Sequence, residues 1–174
     1  MSKICLGLGS NLGDRVQTLS EAVALLRAHA DAPVKVSSVY HSLPEGFDSR
    51  NTFYNAVVLA TTSRSPLDWL DFTQEVERKL GRVNKSIDKQ YHDRTVDIDL
   101  LFYDAEQWDV SSPKALTLPH PEMHKRLFVL CPLAEVAPEW VHPTLGRRVV
   151  ELRDGLLSNC LSHPQLMEGI SIAD

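Results

Sequence analysis

The sequence predicts an α+β fold: a ferredoxin-like α/β sandwich in which helices pack on a largely antiparallel sheet. Apolar residues recur with periods of two and of about 3.6 residues in the order strand, helix, strand, strand, helix, strand, which is the order of the split βαβ unit. The 174 residues, 43% hydrophobic and 24% charged, suit a single globular domain covering residues 1–174. We expect the helices on one face of the sheet, and the loops with any functional site on the other.

The first half of the chain supplies a strand, a helix and two further strands. Residues 4–8 form a short apolar stretch followed by a polar turn, which predicts a buried strand. Residues 14–30 carry apolar side chains at helical spacing, with Asp14 placed to cap the helix. Residues 34–40 and 53–62 are rich in β-branched and aromatic residues, so both segments predict strands.

The second half begins with a well-marked helix. Ser65 is a favourable N-cap and Pro66 a favourable first helical residue, and Gly81 ends the apolar periodicity. The next periodic segment, residues 95–103, alternates apolar and polar side chains, which predicts a strand. These two elements complete the predicted order of strands and helices.

The remaining segments give weaker signals. Residues 104–123 contain three prolines and predict an irregular connection, residues 128–136 are apolar and fit either a helix or a strand, and residues 149–160 predict a last helix. Residues 43–52 form a loop with Pro44 and Gly46, and residues 82–94 are polar and lack periodicity, so they form a second, long loop. Long loops of this kind are usually functional, so we expect both to be mobile catalytic loops that close over a ligand.

Charge and composition exclude several classes of protein. The net charge of -5 argues against a dedicated nucleic-acid binder. No stretch approaches the 18 apolar residues of a membrane span, and the first residues lack a signal-peptide core. The three cysteines, Cys5, Cys131 and Cys160, are far apart, which is typical of reduced thiols in the cytoplasm. We expect a cytoplasmic monomer with no nucleic-acid or membrane partner.

Asp97 and Asp99 are the most informative pair of residues. They alternate with Val96, Ile98 and Leu100, and residues two apart in a strand share a face, so the two carboxylates lie about 7 Å apart on the same side. Two such carboxylates repel each other unless a cation lies between them, and oxygen ligands with open water positions suit Mg²⁺. On this pattern alone, a solvent-facing edge strand explains them equally well.

Basic residues on both sides of this strand favour the metal interpretation. Phosphoryl chemistry combines metal-binding carboxylates with cations that neutralise charge on the phosphate oxygens. Each Arg or Lys alone would be read as a solvated surface charge, so only the joint pattern is informative. The basic residues are Arg82, Lys85, Lys89, His92 and Arg94 before the strand, and Lys114, His120, Lys125 and Arg126 after it.

Two further features allow more than one interpretation. Gly7, Gly9 and Gly13 do not have the spacing of a dinucleotide fingerprint or a P-loop, so we interpret them as a tight turn from strand to helix. Glu77 lies at the edge of the apolar face of its helix, with Gln74 three residues before it. Glu77 could hold a nucleotide or simply line the surface.

Several segments together resemble one known family. GLGSNLGDR, SSVYHSLPEG, FYNAVV, DRTVDIDLLFY, LTLPHPEMHKRLFVLCPL and AEVAPEW stand in the order of its signature segments. The chain resembles 6-hydroxymethyl-7,8-dihydropterin pyrophosphokinases of folate biosynthesis over residues 3–150. The resemblance implies a ferredoxin-like fold and an ATP- and Mg²⁺-dependent enzyme. In that reaction the pterin hydroxymethyl oxygen attacks the β-phosphorus of ATP, AMP leaves, and the pterin receives pyrophosphate.

The resemblance also implies roles for individual residues. Asp97 and Asp99 would hold two Mg²⁺ ions, and Arg82 and Arg94 would assist transfer or product release. The residues implied for pterin binding are Ser42, Leu43, Glu45, Phe53, Asn55 and Phe128. Those implied for ATP binding are Gln74, Glu77, Arg82, Arg94, Ile98, Lys114, Thr117, His120 and Arg126. Phe53 alone would be read as core packing, but Asn55 shares its face of the strand, and a buried amide needs a partner.

Two other functions remain as alternatives. Many members of the family have arginine where this chain has Asn84 and Ala115, which motivates a non-catalytic ferredoxin-like module that binds pterin or nucleotide. A different two-metal phosphoryl enzyme, such as a nuclease, would use the same carboxylate pair. The acidic net charge argues against the nuclease. No residue is identified as a general base.

Overall fold

A six-stranded antiparallel sheet runs through the computed structural model, which describes residues 1–43, 52–81, 95–160 and 162–173. The strand order is β5-β1-β4-β3-β8, β2 also pairs with β4, and β6 and β7 form a separate hairpin. The strands are β1 (Ser2–Ser10), β2 (Lys35–Val36), β3 (Tyr40–Ser42), β4 (Phe53–Thr62), β5 (Asp97–Tyr103), β6 (Trp108–Val110), β7 (Leu116–Leu118) and β8 (Gln165–Leu166). The helices are α1 (Arg15–His29), α2 (Pro66–Gly81), α3 (Leu127–Val136) and α4 (Val149–Leu157).

The predicted ferredoxin-like order is confirmed. β1 and β4 lie at the centre of the sheet, β5 pairs with the outer side of β1, and β2 and β3 pair with β4. The helix α1 connects β1 to β2, and α2 connects β4 to β5. This interleaving gives the split βαβ arrangement with every pairing antiparallel.

Both predicted helix starts are capped by side chains. The Asp14 carboxylate accepts the Gln17 backbone N–H at 3.1 Å at the start of α1. At α2, the Ser65 hydroxyl accepts the Asp68 backbone N–H at 3.2 Å, and the Asp68 carboxylate accepts the Ser65 backbone N–H at 3.1 Å. The second pattern is a reciprocal capping box, which satisfies two backbone donors at once.

Helices cover both faces of the sheet, so the expectation that they would all lie on one face is wrong. Ile4, Leu6 and Val58 face a core cluster that includes residues of α1 and α2, whereas Cys5 and Val57 face a second cluster with residues of α3 and α4. The ambiguous apolar segment 128–136 is helical, and it covers part of the second face because that face is also apolar. The site occupies the remainder of this second face.

Two predicted segments differ from the structure. The single strand expected over residues 34–40 is divided into β2 and β3, because the Ser37 hydroxyl accepts the Val57 backbone N–H at 2.8 Å and replaces a strand carbonyl there. The irregular segment 104–123 contains the hairpin of β6 and β7 and a short 3-10 turn at Met123–Lys125. Strands of three residues carry too little alternation to be recognised in sequence.

The buried histidine His142 makes stability depend on pH. His142 is 5% exposed, and its Nδ1 accepts the backbone N–H groups of Thr144 at 3.3 Å and Leu145 at 3.2 Å. Burial lowers the pKa of His142 below its ordinary value of 6.5. The unfolded chain therefore binds more protons below about pH 6.5, and the free energy of unfolding is expected to fall as pH decreases from there.

The His142→Asn substitution tests this pH dependence. Asparagine keeps an acceptor for the two backbone donors but does not titrate. Urea denaturation of the variant between pH 7.5 and 5 should give a shallower fall in stability than the native chain shows. Some fall should persist, because burial also lowers the pKa of His29. Identical slopes for the two proteins would contradict the assignment.

Candidate active site

A row of residues across three strands forms the floor of the site. Gly9 on β1 lies opposite Asp97 on β5 and opposite Asn55 on β4. One step along β1, Gly7 lies opposite Asp99. Residues opposite each other in an antiparallel sheet point to the same face. The carboxylates and the amide therefore flank a strip of β1 that has no side chains.

A cavity of ≈ 490 Å³ lies over this floor, a volume within the range of small-molecule sites. Phe128 and Val129 of α3 and the adjacent Arg126 line its opposite wall. The other described lining residues are Gly7, Leu8, Gly9, Ser42, Leu43, Phe53, Asn55, Ala56, Val57, Asp97, Asp99, Leu101 and His120. The residues expected to bind metal and those expected to bind pterin thus share one cavity.

The acidic pair has the predicted alternation. Asp97 and Asp99 are half-buried, while Ile98 between them and Leu100 after them are buried in the core cluster against α1 and α2. Among the described residues, no group of three or more His, Cys, Asp or Glu could hold a metal ion. Two carboxylates on one strand face suit a cation that takes its other ligands from water and a bound phosphate, which is the usual manner of Mg²⁺.

His120 adds a neutral donor to the same cavity. Burial and the charge of Arg126 lower the pKa of His120, against the opposing effects of Glu122 and Asp97. Its Nδ1 accepts the Glu122 backbone N–H at 3.1 Å. A neutral ring that accepts at Nδ1 carries its proton on Nε2 and can donate there. The imidazole is suited to donate to an oxygen or nitrogen of a bound ligand.

The half of the cavity that is expected to bind pterin contains a buried amide. Asn55 is 4% exposed, and its Nδ2 donates to the Ser42 hydroxyl on β3 at 2.7 Å. Phe53 lies on the same face of β4, two residues away, and Phe128 faces the cavity from α3. This arrangement offers two aromatic rings and a fixed amide, which suits a flat heterocycle with a polar edge. Glu45, expected beside them, lies outside the described residues.

The residues expected to bind ATP divide into two groups. His120 and Arg126 line the cavity. Glu77 of α2 lies instead along β5, because its carboxylate accepts the Ile98 backbone N–H at 2.8 Å, and Gln74 accepts from Lys114. Glu77 therefore caps the outer edge of the strand that carries the acidic pair, a role that the sequence did not suggest.

Lys114 and Thr117 belong to the hairpin that packs near β5. The Lys114 ammonium donates to the Gln74 side-chain oxygen at 2.9 Å and pairs with Asp71. Thr117 is exposed on β7. Arg82 and Arg94, expected to clamp phosphates, lie outside the described residues, as does the rest of segment 82–94.

Three contributors to the site were not predicted. Gly7 and Gly9 lie inside β1 and not in a turn, and glycine within a strand is typical of a close approach by a ligand; their spacing of two was the available signal. Arg15 donates to the Thr52 carbonyl at 2.9 Å and stacks on the Tyr54 ring at 3.9 Å. It fixes the start of β4 before Phe53, and nothing in the sequence distinguishes it from a surface arginine of a first helical turn.

The Gly9→Val substitution is expected to block the cavity. An ideal Cβ at Gly9 would lie 3.4 Å from Asn55 Oδ1 and 3.5 Å from Phe53 Cδ1, so the two methyl groups of valine would occupy the cavity floor. Affinity for the pterin, measured by KM or by calorimetry, should fall roughly a hundredfold. The fold should persist, since valine favours strands.

A glycine elsewhere supplies the control for this substitution. A Cβ added at Gly155 in α4 would meet no described atom within 4 Å apart from the local backbone of its own helix, so Gly155→Ala should leave pterin affinity unchanged. An unchanged pterin KM in Gly9→Val would show that the ligand does not lie on this floor.

Comparison with known proteins identifies one family. The family model described as 7,8-dihydro-6-hydroxymethylpterin-pyrophosphokinase (HPPK) matches residues 5–138. A 2-amino-4-hydroxy-6-hydroxymethyldihydropteridine pyrophosphokinase of Porphyromonas gingivalis is 46% identical over 143 residues, covering 82% of this chain and 95% of the relative. The protein of that name in Bacillus subtilis is 42% identical over 135 residues, covering 77% of each chain.

The fold comparison is consistent with these relatives. The crystal structure of Plasmodium falciparum HPPK-DHPS with SDX-DHP has a TM-score of 0.68 at 16% sequence identity. It covers 91% of this chain, which spans only 45% of the Plasmodium chain. At this identity the match shows a shared fold. Separately, none of the helices in the described part of the chain is both long and apolar enough to cross a membrane.

Proposed function

Since the chain belongs to the 7,8-dihydro-6-hydroxymethylpterin-pyrophosphokinase family, we propose how its residues divide the work of that reaction. The chain is an α+β enzyme of folate biosynthesis that transfers pyrophosphate from ATP to the hydroxymethyl group of 6-hydroxymethyl-7,8-dihydropterin, releasing AMP. ATP is its co-substrate. The relatives' names do not favour a non-catalytic binding module.

The acidic pair holds two Mg²⁺ ions in this proposal. Its support is the shared face of Asp97 and Asp99, their half-burial, and the strip of β1 without side chains at Gly7 and Gly9 beside them. With only two carboxylates available, the remaining ligand positions fall to water and to the phosphates of ATP. Bound there, Mg²⁺ would neutralise charge on the transferred phosphates and orient them toward the pterin oxygen.

The pterin lies between Phe53 and Phe128, with its polar edge on Asn55. Asn55 Nδ2 already donates to the Ser42 hydroxyl, and this bond fixes the orientation of the amide before the ligand arrives. A preoriented amide loses little conformational entropy on binding. Ser42 and Leu43 border the pterin from β3, and Glu45 is proposed to complete this wall. The hydroxymethyl group then points across β1 at Gly9 toward Asp97.

The nucleotide lies on the β5 side of the metal pair. His120 and Arg126 face the same cavity as the carboxylates, so they can reach its phosphates or sugar. Arg82 and Arg94 are proposed as further phosphate ligands that assist transfer or product release. Gln74, Glu77, Ile98, Lys114 and Thr117 are proposed to border the base and sugar along the edge of β5, with Glu77 already fixed on the Ile98 N–H.

The proposed chemistry depends on positioning and electrostatics. A metal-bound carboxylate is a weak base, so Asp97 need not remove the hydroxyl proton before attack. Holding the pterin oxygen in line with the β-phosphorus supplies much of the rate, and cationic side chains stabilise the charge that develops on the phosphate oxygens. The cavity wall formed by α3 limits the access of water, which would otherwise compete as nucleophile.

Residues 1–174 are proposed to act as one domain, as a monomer and in the cytoplasm. The segment after α4 packs on the same core as α1, which supports one domain. All three cysteines are described and unpaired, as is usual in a reducing compartment.

Product analysis tests this function. Purified protein with Mg²⁺, ATP and 6-hydroxymethyl-7,8-dihydropterin should form AMP and the pterin diphosphate in equal amounts. The single observation behind the expectation is the acidic pair lying in one cavity with Asn55 and the two phenylalanine rings. Formation of ADP, or no AMP above background, would overturn the proposal.

A further inference from the structure

The segment of residues 162–173 lies beyond the matched family region, which ends at residue 138, yet it is tied to the sheet. Within it, β8 pairs with the outer side of β3, Gln165 opposite His41 and Leu166 opposite Tyr40. The Met167 backbone N–H then donates to the Val39 carbonyl at 2.9 Å. The strand pairing of residues 165–166 and the hydrogen bond of Met167 therefore connect this segment to β3 and to the residue before it.

The far end of the segment is anchored in the main core. Ile172 is 3% exposed and belongs to the cluster that includes the buried side of α1, with Met167 and Ile170 packed against that cluster. The Arg27 guanidinium of α1 also donates to the Ala173 carbonyl. A segment held at both ends can support the strand that it pairs with.

The supported strand, β3, carries one side of the proposed pterin pocket. It has only three residues, and its inner side pairs with β4, Tyr40 opposite Asn55 and Ser42 opposite Phe53. The Ser42 hydroxyl accepts from the buried Asn55 amide. Without β8, this short strand would be a sheet edge with unpaired backbone groups, which is weakly held.

On the α3 side, Tyr40 at the start of β3 interacts with the Glu135 carboxylate of α3, whereas His41 and Ser42 at the end of β3 line open space. A second cavity of ≈ 450 Å³ lies there, between β3, the start of α3 and the segment after Cys160. It shares Ser42, Leu43 and Phe128 with the pterin cavity. Because no described residue fills this space, the end of β3 could shift into it, and the backbone contacts with residues 165–167 oppose the shift together with the Tyr40–Glu135 interaction.

We propose that residues 162–173 position β3, so that Ser42 and Leu43 are held in place for the pterin. The backbone hydrogen bonds described for the segment run to Val39 and β3, and Arg27 of α1 holds the far end of the segment. Because β3 borders the proposed pterin pocket, we expect the segment to affect pterin binding. This inference rests on the proposed function. It makes the segment a positioning element for one of the two substrates.

Two substitutions that release the segment test the proposal in the full-length chain. Met167→Pro removes the backbone N–H that donates to the Val39 carbonyl, and Met167→Leu keeps this N–H and serves as the matched control. Ile172→Asp removes the core anchor, with Ile172→Val as its control. In both releasing variants, the KM for the pterin should rise about fivefold, as expected for loss of one hydrogen bond. The kcat and the KM for ATP should stay near the native values.

Hydrogen exchange supplies a readout that does not depend on catalysis. The amides of residues 39–42 should exchange faster in Met167→Pro than in Met167→Leu, while those of β1 and β4 keep their protection. Unchanged exchange in residues 39–42, or equal effects on both substrates, would overturn the positioning role. If the native chain itself neither binds nor converts the pterin, the proposed function fails, and the exchange data alone decide whether the segment holds β3.

Discussion

Replacing Asp97 or Asp99 by asparagine is expected to lower kcat roughly a thousandfold, as is typical when one electrostatic contact to a reacting group is lost. Asparagine keeps the size of the side chain but removes the negative charge that holds Mg²⁺. Both side chains are half-buried on one face of β5, and Asp97 lies opposite Gly9 and Asp99 opposite Gly7 in the sheet. Steady-state formation of AMP at saturating substrates measures the loss.

A carboxylate on a different strand gives the control. Asp109 is exposed on β6, so Asp109→Asn should keep native kcat. The Asp97 and Asp99 variants should also keep the native circular dichroism spectrum. A near-native kcat in either variant would show that the pair does not hold the metal.

Replacing Asn55 by leucine is expected to raise the KM for the pterin roughly a hundredfold. A site built to hydrogen-bond the polar edge of a ligand loses much of its affinity when the residue that makes the hydrogen bonds is removed. Leucine has a branched shape like that of asparagine but no hydrogen-bonding atoms in its side chain. The substitution also leaves the Ser42 hydroxyl without the donor that it accepts from at 2.7 Å. The KM for ATP, measured in the same assays, should change little.

Two variants separate this role from a general loss of stability. Asn159→Leu removes an exposed amide that donates to the Gly155 carbonyl at 3.0 Å, and should leave both KM values unchanged. Ser42→Ala removes the internal partner of Asn55 but not the amide itself, so its effect on pterin KM should be smaller than that of Asn55→Leu. Equal KM values in Asn55→Leu and the native chain would exclude Asn55 from the pterin pocket.

The sequence allowed the fold to be predicted where local chemistry decides the structure. Asp14 and Ser65 cap α1 and α2 as their residue types indicate, and the alternation around Ile98 gives β5 its two faces. These features depend on neighbours within a few residues. The same alternation is sufficient to predict that Asp97 and Asp99 share a face of the strand.

The features that sequence reasoning missed depend on contacts between distant segments. The Ser37 hydroxyl interrupts a strand only because it meets the Val57 N–H, twenty residues away. Gly7 and Gly9 form a cavity floor only in a register that sets them opposite Asp99 and Asp97. Such registers follow from the packing of the whole sheet, so a local pattern does not contain them.

The residues expected to bind the nucleotide illustrate the same limit. The helical position of Glu77 fits a nucleotide contact or a surface residue. In the structure its carboxylate accepts the Ile98 backbone N–H, a contact with β5 that neither interpretation included. Lys114 is expected near phosphates from its place in the sequence, yet it pairs with Asp71 and Gln74 on α2. A long charged side chain can reach several partners, and only the tertiary structure selects among them.

Counting bound metal ions tests the central claim most directly. With Mn²⁺ in place of Mg²⁺, a non-hydrolysable ATP analogue and the pterin, electron paramagnetic resonance should count two ions per native chain. The double variant Asp97→Asn, Asp99→Asn should bind at most the one ion that the nucleotide carries. Two ions in the double variant, or fewer than two in the native protein, would contradict the assignment of Asp97 and Asp99 as the ligands of both metals.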